Sequence, residues 1–138
     1  MAAFSYFRTI HFADTDAAGV VFFARYLSIA HEAYEEALAE IDLQLHQFFA
    51  DSGVIVPVTK SEASYLRPLN CAEKIRVDLQ PTRLAEHAFA IDYTIYKLAP
   101  VEKRAAVIRT EHTCIDSKDR RRQPLPPALA QWVDQAQA

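Results

Sequence analysis

The chain has 138 residues, 51% of them hydrophobic, which fits one compact domain. Its formal net charge of −3 argues against a general nucleic-acid binder, because such proteins are usually basic. It contains no signal-peptide pattern and no apolar run of about 18 residues, so we expect neither export by that route nor a membrane span. Cys71 and Cys114 lack metal-ligand spacing, and we interpret both as small apolar residues in strands of a reduced, cytoplasmic protein.

Apolar residues follow two different periods in the amino-terminal part of the chain. Phe4 to Phe12 alternates apolar and polar positions, which predicts a strand with one buried face. Turn-prone residues from Asp14 to Gly19 end that pattern. From about residue 22 to 41 the apolar residues step by three and four, which predicts one long helix. Its apolar face is formed by Phe23, Leu27, Ala30, Tyr34, Ala37 and Ile41.

The rest of the chain predicts mainly strands. A shorter helical stretch to about Ala50 precedes a β-rich segment, residues 54–66, in which Pro57 indicates an edge or a bulge. Prolines lead into a last short helix near residues 128–133. Further strands are predicted at residues 75–79, 89–95 and 105–115. Short connections favour antiparallel pairing, so we predict a single α+β domain in which a curled antiparallel sheet of about five strands surrounds one long helix.

The segment from Asp14 to Phe23 places two carboxylates and a glycine directly before the long helix. The first amides of a helix have no partners inside it, so they can stabilise a developing oxyanion. A nearby carboxylate such as Asp16 can attack a thioester carbonyl or activate a water molecule. Aspartates are also common in turns and helix caps, but Asp16 lies several residues before the helix, which favours a position across from the amides.

The same segment, Asp-Thr-Asp-Ala-Ala-Gly-Val-Val-Phe-Phe, resembles the signature of the hotdog-fold acyl-CoA thioesterases of the 4-hydroxybenzoyl-CoA thioesterase type. The resemblance continues through residues 58–69 and 114–126. It implies a hotdog fold and hydrolysis of an acyl-CoA thioester without a cofactor or metal. It also implies a homodimer or homotetramer in which a second subunit completes the active site.

The resemblance assigns a role to each residue of the motif. Asp16 falls on the catalytic carboxylate, and the backbone amide that polarises the carbonyl falls on or near Phe23. Asp14 is expected to hold the turn, and Gly19 to let the chain pass close to the substrate. Whether Asp16 forms a covalent anhydride or acts as a general base stays open.

The phosphates of coenzyme A need cationic or amide partners. Some members of the family carry an Arg-Arg-Lys run where this chain has Ala85-Glu86-His87, so other groups are expected to bind the phosphates here. The candidates are Arg67, Arg83, Lys60 and His87.

His31 opens a helix segment, His-Glu-Ala-Tyr-Glu, that resembles the subgroup acting on 1,4-dihydroxy-2-naphthoyl-CoA in phylloquinone and menaquinone synthesis. A hydroxylated two-ring acyl group could exchange a hydrogen bond with His31, and a helix histidine satisfied by water or a neighbour fits the sequence equally well. A metal site on His31 and Glu35 is not expected, because no third ligand follows at helical spacing. His112 stands alone and is interpreted as a surface or strand residue.

The preferred interpretation is therefore hydrolysis of the dihydroxynaphthoyl ester. Two alternatives stay open: a thioesterase for short-chain or fatty acyl groups on CoA or acyl carrier protein, and a non-catalytic acyl-binding protein of the same fold. A dehydratase would usually need a histidine in the turn before the helix, where this chain has none.

Overall fold

The computed structural model describes residues 2–41 and 45–136, and antiparallel strands dominate it. The elements in chain order are β1 (Phe4–Thr9), a 3₁₀ turn (Phe12–Asp14), α1 (Phe23–Glu40), α2 (Leu45–Ser52), β2 (Val54–Ile55), β3 (Val58–Tyr65), β4 (Lys74–Ala85), β5 (Ala88–Lys97), β6 (Lys103–Thr113), β7 (Ile115–Asp116) and α3 (Pro127–Ala136). Five strands form one antiparallel sheet in the order β1-β4-β5-β6-β3, and β2 pairs with β7. The predicted α+β class and the predicted five-stranded sheet are confirmed.

One face of the sheet packs against α1 and α3. Strands β4 and β5 place every second residue on this face, as the alternation of apolar residues predicts. The helices close the same core with Ile29, Leu38 and Leu129, each 0% exposed. The inward residues of β4 and β5 are Ile75, Val77, Leu79, Phe89, Ile91, Tyr93 and Ile95. The expected hotdog arrangement, an antiparallel sheet covering one long helix, is confirmed.

The buried face of α1 differs from the predicted one at both ends. Phe23 and Ile41 are 63% and 43% exposed, whereas Tyr26 and Ile29 are buried. Ala30, Tyr34 and Ala37 are buried as predicted, and Leu27 is partly buried. The difference arises because the core covers the helix from Tyr26 to Leu38, so the apolar residues at its two ends reach beyond the sheet.

Two further expectations about burial were wrong. Phe12 is 82% exposed, because β1 ends at Thr9 and the chain turns before the alternation can continue. Cys71 is exposed in a turn, whereas Cys114 is buried directly after β6.

Strand β3 forms one edge of the sheet. Its only strand partner in the described part of the chain is β6, and the pairing shifts register between Val58 and Lys60, which confirms the edge or bulge predicted from Pro57. Nearly all of its residues are exposed. No helix within residues 2–41 and 45–136 combines the length and apolar character needed to cross a membrane.

Candidate active site

A buried carboxylate fixes the loop between β1 and α1. Asp14 is 1% exposed, and it accepts hydrogen bonds from Arg8 Nη1 at 2.6 Å, from Arg25 Nε at 2.8 Å and from the His11 amide at 2.7 Å. Burial alone would raise the pKa of Asp14, but the two arginines and the amide outweigh it and hold that pKa well below its ordinary range. Asp14 therefore holds the turn as a charged group.

The same network ties β1 to α1. Arg8 also donates from Nε to Glu32 Oε1 at 2.7 Å, and the Tyr6 hydroxyl donates to the same oxygen at 2.9 Å. The strand, the loop and the third turn of the helix are thus held by one set of charge-assisted hydrogen bonds, which are stronger than neutral ones.

Asp16 begins a tight turn that needs a glycine. The Gly19 amide donates to the Asp16 carbonyl at 3.0 Å, and the Asp16 amide donates to the Val20 carbonyl at 2.9 Å. Gly19 has a φ of +84°, a left-handed conformation that favours glycine. The carboxylate accepts from the Ala18 amide through Oδ1 at 2.8 Å, while Oδ2 has no partner among the described residues. The Asp16 side chain is exposed to solvent.

Helix α1 begins without a side-chain cap. Its N-cap residue is Phe22, whose amide donates to the Asp14 carbonyl at 3.0 Å. Within the described part of the chain, the amides of Phe23 and Ala24 have no hydrogen-bond partner. Asp16 is therefore not the cap of this helix, and two donors at its start are available to a ligand.

Asp16 lies in a segment that pairs with the residues directly before these amides. Residues 14–16 run antiparallel to residues 20–22, and the Asp16 backbone pairs with Val20. At the usual rise of a strand, Val20 lies roughly 7 Å before Phe22. Asp16 and the start of α1 therefore belong to one short antiparallel unit.

Helix α1 and strand β3 are in contact near the helix start. The Tyr65 hydroxyl donates to the Phe23 carbonyl at 3.3 Å, and its ring contacts Tyr26 with centroids 5.0 Å apart. Farther along α1, a cavity of about 160 Å³ lies between the helix and strands β3, β5 and β6. The lining is Leu27, His31, Val58, Ser61, Tyr93, Thr110 and His112, and it does not include Asp16. A larger cavity of about 390 Å³ lies at the carboxyl end of α1 and contains none of the predicted site residues.

His31 lies in the wall of the smaller cavity. Its Nδ1 is 2.9 Å from Glu35 Oε1, one helical turn away, so a neighbour satisfies one ring nitrogen, as one of the two interpretations of the sequence expected. Among residues 2–41 and 45–136, no group of three or more histidine, cysteine, aspartate or glutamate side chains is arranged to hold a metal ion.

Sequence reasoning missed the strand side of this cavity. His112 is in β6, but it is 1% exposed and not an ordinary surface residue. Its Nε2 lies 2.8 Å from Thr110 Oγ1, which is 3.2 Å from the Tyr93 hydroxyl. A signal was present, because Thr110 and His112 continue the inward parity of Ile108, and polar residues at inward positions of a strand need partners.

The candidate phosphate-binding residues lie in different places. Arg67 follows two residues after Tyr65 and lines a cavity of about 170 Å³ together with Lys97 and Lys103. Arg83 pairs with Asp134 of α3 at 2.7 Å, and His87 is half-buried in the turn between β4 and β5. Those two residues lie at the end of the sheet opposite to Tyr65. The last candidate, Lys60, is exposed on β3.

Comparisons with known proteins agree with this architecture. The profile of the thioesterase-like superfamily matches residues 10–133. A 1,4-dihydroxy-2-naphthoyl-CoA hydrolase from Thermosynechococcus vestitus is 46% identical over 131 residues, which cover 95% of this chain and 88% of that protein. The protein of that name from Synechococcus elongatus is 43% identical, with 96% of both chains covered.

A solved structure is similar along nearly its whole length. The 1,4-dihydroxy-2-naphthoyl-CoA thioesterase from Synechocystis superposes with a TM-score of 0.91 at 30% identity, and the match covers 98% of each chain. The fold, the loop before α1 and these matches together define a hotdog thioesterase. This chain belongs to the thioesterase-like superfamily.

The Asp14 network gives a prediction about stability. Asp14→Asn removes one of the two carboxylate partners of Arg8, the other being Glu32, and also the carboxylate partner of Arg25, so we expect the free energy of unfolding at pH 7 to fall by about 3–5 kcal/mol. Because the pKa of Asp14 is lower in the folded chain, its contribution is complete above the unfolded-state pKa of about 4 and decreases as the pH falls below that value. The difference between wild type and variant should therefore shrink in acid, as measured by urea unfolding at several pH values.

Asp16→Asn is the matched control, because it changes the exposed aspartate of the same loop. Its unfolding free energy should stay within about 0.5 kcal/mol of the wild type. Equal effects of the two substitutions, or a difference for Asp14→Asn that does not depend on pH, would contradict the assigned role.

Proposed function

We propose that this protein hydrolyses 1,4-dihydroxy-2-naphthoyl-CoA to the free acid and coenzyme A. The observation that carries the proposal is an exposed Asp16 in the loop directly before an uncapped helix start, where the amides of Phe23 and Ala24 have no partner among the described residues. The choice of acyl group is supported by relatives named for this reaction at 46% and 43% identity.

The proposed chemistry uses only groups of the loop and the helix. The thioester carbonyl oxygen accepts a hydrogen bond from the Phe23 amide, which stabilises the negative charge that develops on it. Asp16 either attacks the carbonyl carbon or takes a proton from an attacking water. If Asp16 acts as the base, the C–S bond breaks after water adds, and the proton taken from that water passes to the coenzyme A thiolate. If Asp16 attacks, the C–S bond breaks to give an acyl anhydride on Asp16 and the thiolate; water then hydrolyses the anhydride, which frees the acid, restores Asp16 and supplies the proton that the thiolate takes up.

A second copy of the chain completes the proposed site. The outer edge of β3 has no strand partner within the described residues, and the backbone groups of such an edge commonly pair with another strand. Exposed apolar residues continue from this edge to the start of α1: Phe22, Phe23, Tyr65 and Leu66. Such a patch beside a free edge is typical of a protein interface, and a copy of the chain seated there would shield the exposed Asp16 from bulk water.

The proposal also keeps the expectation of a cytoplasmic enzyme. Cys71 and Cys114 are free thiols, and Cys71 is exposed. An exposed unpaired thiol is consistent with a reducing compartment.

The catalytic carboxylate can be tested by one substitution. Asp16→Asn should lower kcat by about 1,000-fold or more, because it removes the group that attacks or activates water, while binding of the CoA ester persists. Turnover is measured by thiol release and binding by calorimetry, with Asp51→Asn as the control for removal of an exposed carboxylate. Near-wild-type turnover in Asp16→Asn, or faster wild-type turnover of short aliphatic esters than of the naphthoyl ester, would contradict the proposal.

The phosphate site can be separated from the acyl site. Two cavities lie on opposite sides of Tyr65: one is lined by Leu27, the other by Arg67, Lys97 and Lys103. We propose that coenzyme A extends toward the basic cavity while the acyl group extends toward the cavity at Leu27. Arg67→Ala should raise KM for the CoA ester by about 10-fold.

Hydrolysis of the matching N-acetylcysteamine thioester, which has no phosphates, should stay unchanged in Arg67→Ala. Lys118→Ala is the control for loss of one positive charge in an exposed turn. Equal losses with both thioesters, or the same loss in Lys118→Ala, would show that Arg67 does not bind phosphate.

The interface can be tested with two leucines of similar exposure. Leu66 is 47% exposed beside β3, and Leu84 is 45% exposed in the hairpin of β4 and β5. Light scattering should give a multiple of 15.6 kDa for the wild type. Leu66→Asp should lower the measured mass, because it buries a charge in the proposed interface, whereas Leu84→Asp should not. A monomeric wild type would contradict the proposed interface. Dissociation caused only by Leu84→Asp would place the interface at the hairpin of β4 and β5 instead.

A further inference from the structure

The cavity beside His112 lies where the acyl group of a bound thioester would reach. Leu27 follows the Phe23 amide by one helical turn, about 6 Å, and His31 by two, about 12 Å. Leu27 forms part of the cavity wall, so an aromatic acyl group that extends along α1 from a carbonyl at Phe23 is directed toward this cavity. Its volume of about 160 Å³ resembles that of engineered protein cavities of about 150 Å³ that hold one benzene molecule.

The inner wall of the cavity carries a chain of polar groups. Tyr93, Thr110 and His112 are 1%, 9% and 1% exposed, and they are linked through the Thr110 hydroxyl at distances of 3.2 Å and 2.8 Å. Polar groups buried this deeply are costly unless they are hydrogen-bonded. Their position in a mostly apolar core therefore needs a reason beyond packing.

One buried side-chain atom among Tyr93, Thr110 and His112 lacks a hydrogen-bond partner within the described residues. His112 Nδ1 has no hydrogen-bond partner among the described residues. Burial, together with the charge of His31, lowers the pKa of His112 to about 4, so its ring is neutral near pH 7 and carries one N–H. If that hydrogen is on Nε2, Nδ1 is an open acceptor. If it is on Nδ1, that atom is an open donor, and in either case a hydroxyl group could pair with it.

The His112 ring cannot easily turn away to find another partner. It stacks on Phe89 with centroids 4.6 Å apart and an interplanar angle of 4°. Tyr34 contacts it from another side at 5.1 Å. Tyr93 is at the opposite end of this row of hydrogen-bonded groups from His112. Burial raises the pKa of Tyr93 to about 12, so the phenol keeps its proton. The polar groups are thus held in place, with apolar Leu27 and Val58 completing the wall.

We infer that Tyr93, Thr110 and His112 form a binding site for a phenolic hydroxyl on the aromatic acyl group, remote from the thioester. On a 1,4-dihydroxy-2-naphthoyl group this is the 4-hydroxyl, since the 1-hydroxyl lies beside the carbonyl and can bond to it internally. An acyl group without that hydroxyl would leave the buried nitrogen unpaired, which disfavours its binding. The inference rests on the proposed function, because it names the part of the substrate that the same site recognises.

The test uses two acyl groups that differ by one hydroxyl. The CoA esters of 1,4-dihydroxy-2-naphthoate and 1-hydroxy-2-naphthoate are compared by kcat/KM without oxygen, and the two free acids by calorimetric Kd. We expect wild type to prefer the dihydroxy compound by about 100-fold in kcat/KM, with the same order of preference in Kd.

Two substitutions keep the shape of the wall and remove its polar groups. Thr110→Val and His112→Phe should each reduce the preference below about 10-fold, mainly by loss of the dihydroxy compound. Thr94→Val makes the same change as Thr110→Val on the opposite face of neighbouring β5, and it should keep the wild-type preference. A purely structural role would lower activity toward both esters equally and leave the preference intact.

The outcomes separate this inference from the proposed function. If the wild type hydrolyses both esters at equal rates, the proposed hydroxyl site is wrong but the proposed hydrolysis is supported. The same holds if Thr110→Val and His112→Phe both keep the wild-type preference for the dihydroxy ester. Absence of turnover combined with a retained, Thr110-dependent preference between the free acids overturns the proposed function and supports the hydroxyl site.

Discussion

The ion pairs of Asp14 are the constraint on which the site depends. A carboxylate that is 1% exposed is costly to bury, and here two arginines and a backbone amide compensate for it. Arg8 belongs to β1 and Arg25 to the first turn of α1, so the charge of Asp14 joins the strand to the helix across the loop. Without that charge, the two positive groups would repel each other at the place where the loop must stay fixed.

The start of α1 owes its free amides to this arrangement. Because the Asp14 side chain is engaged by Arg8, Arg25 and the His11 amide, it caps no amide of α1, and the Asp14 carbonyl accepts from the Phe22 amide. The next two amides keep no partner in the described chain, and Asp16 lies on the adjoining turn. The site thus extends in two directions from one fixed point, toward the cavity at Leu27 and His112 and toward the cations around Arg67.

Local sequence patterns predicted much of the fold, since the alternation in β4 and β5 and the helical period after Phe22 are set by neighbouring residues. The loop motif predicted the positions of Asp16, Gly19 and the helix start. The sequence did not show the arginine partners of Asp14. It also did not show that His31 and His112 line the same cavity, because these arrangements join elements far apart in the chain. It also misplaced the ends of the buried helix face, since where a sheet stops covering a helix is a tertiary property.

The most direct test of this account is a crystal structure of Asp16→Asn with 1,4-dihydroxy-2-naphthoyl-CoA bound. We expect the thioester carbonyl oxygen to lie about 2.9 Å from the Phe23 amide nitrogen. The substituted side chain of residue 16 should lie on the other side of the carbonyl carbon. The ring should lie beside His112. A thioester bound away from the start of α1, with the Phe23 amide facing only solvent, would contradict it.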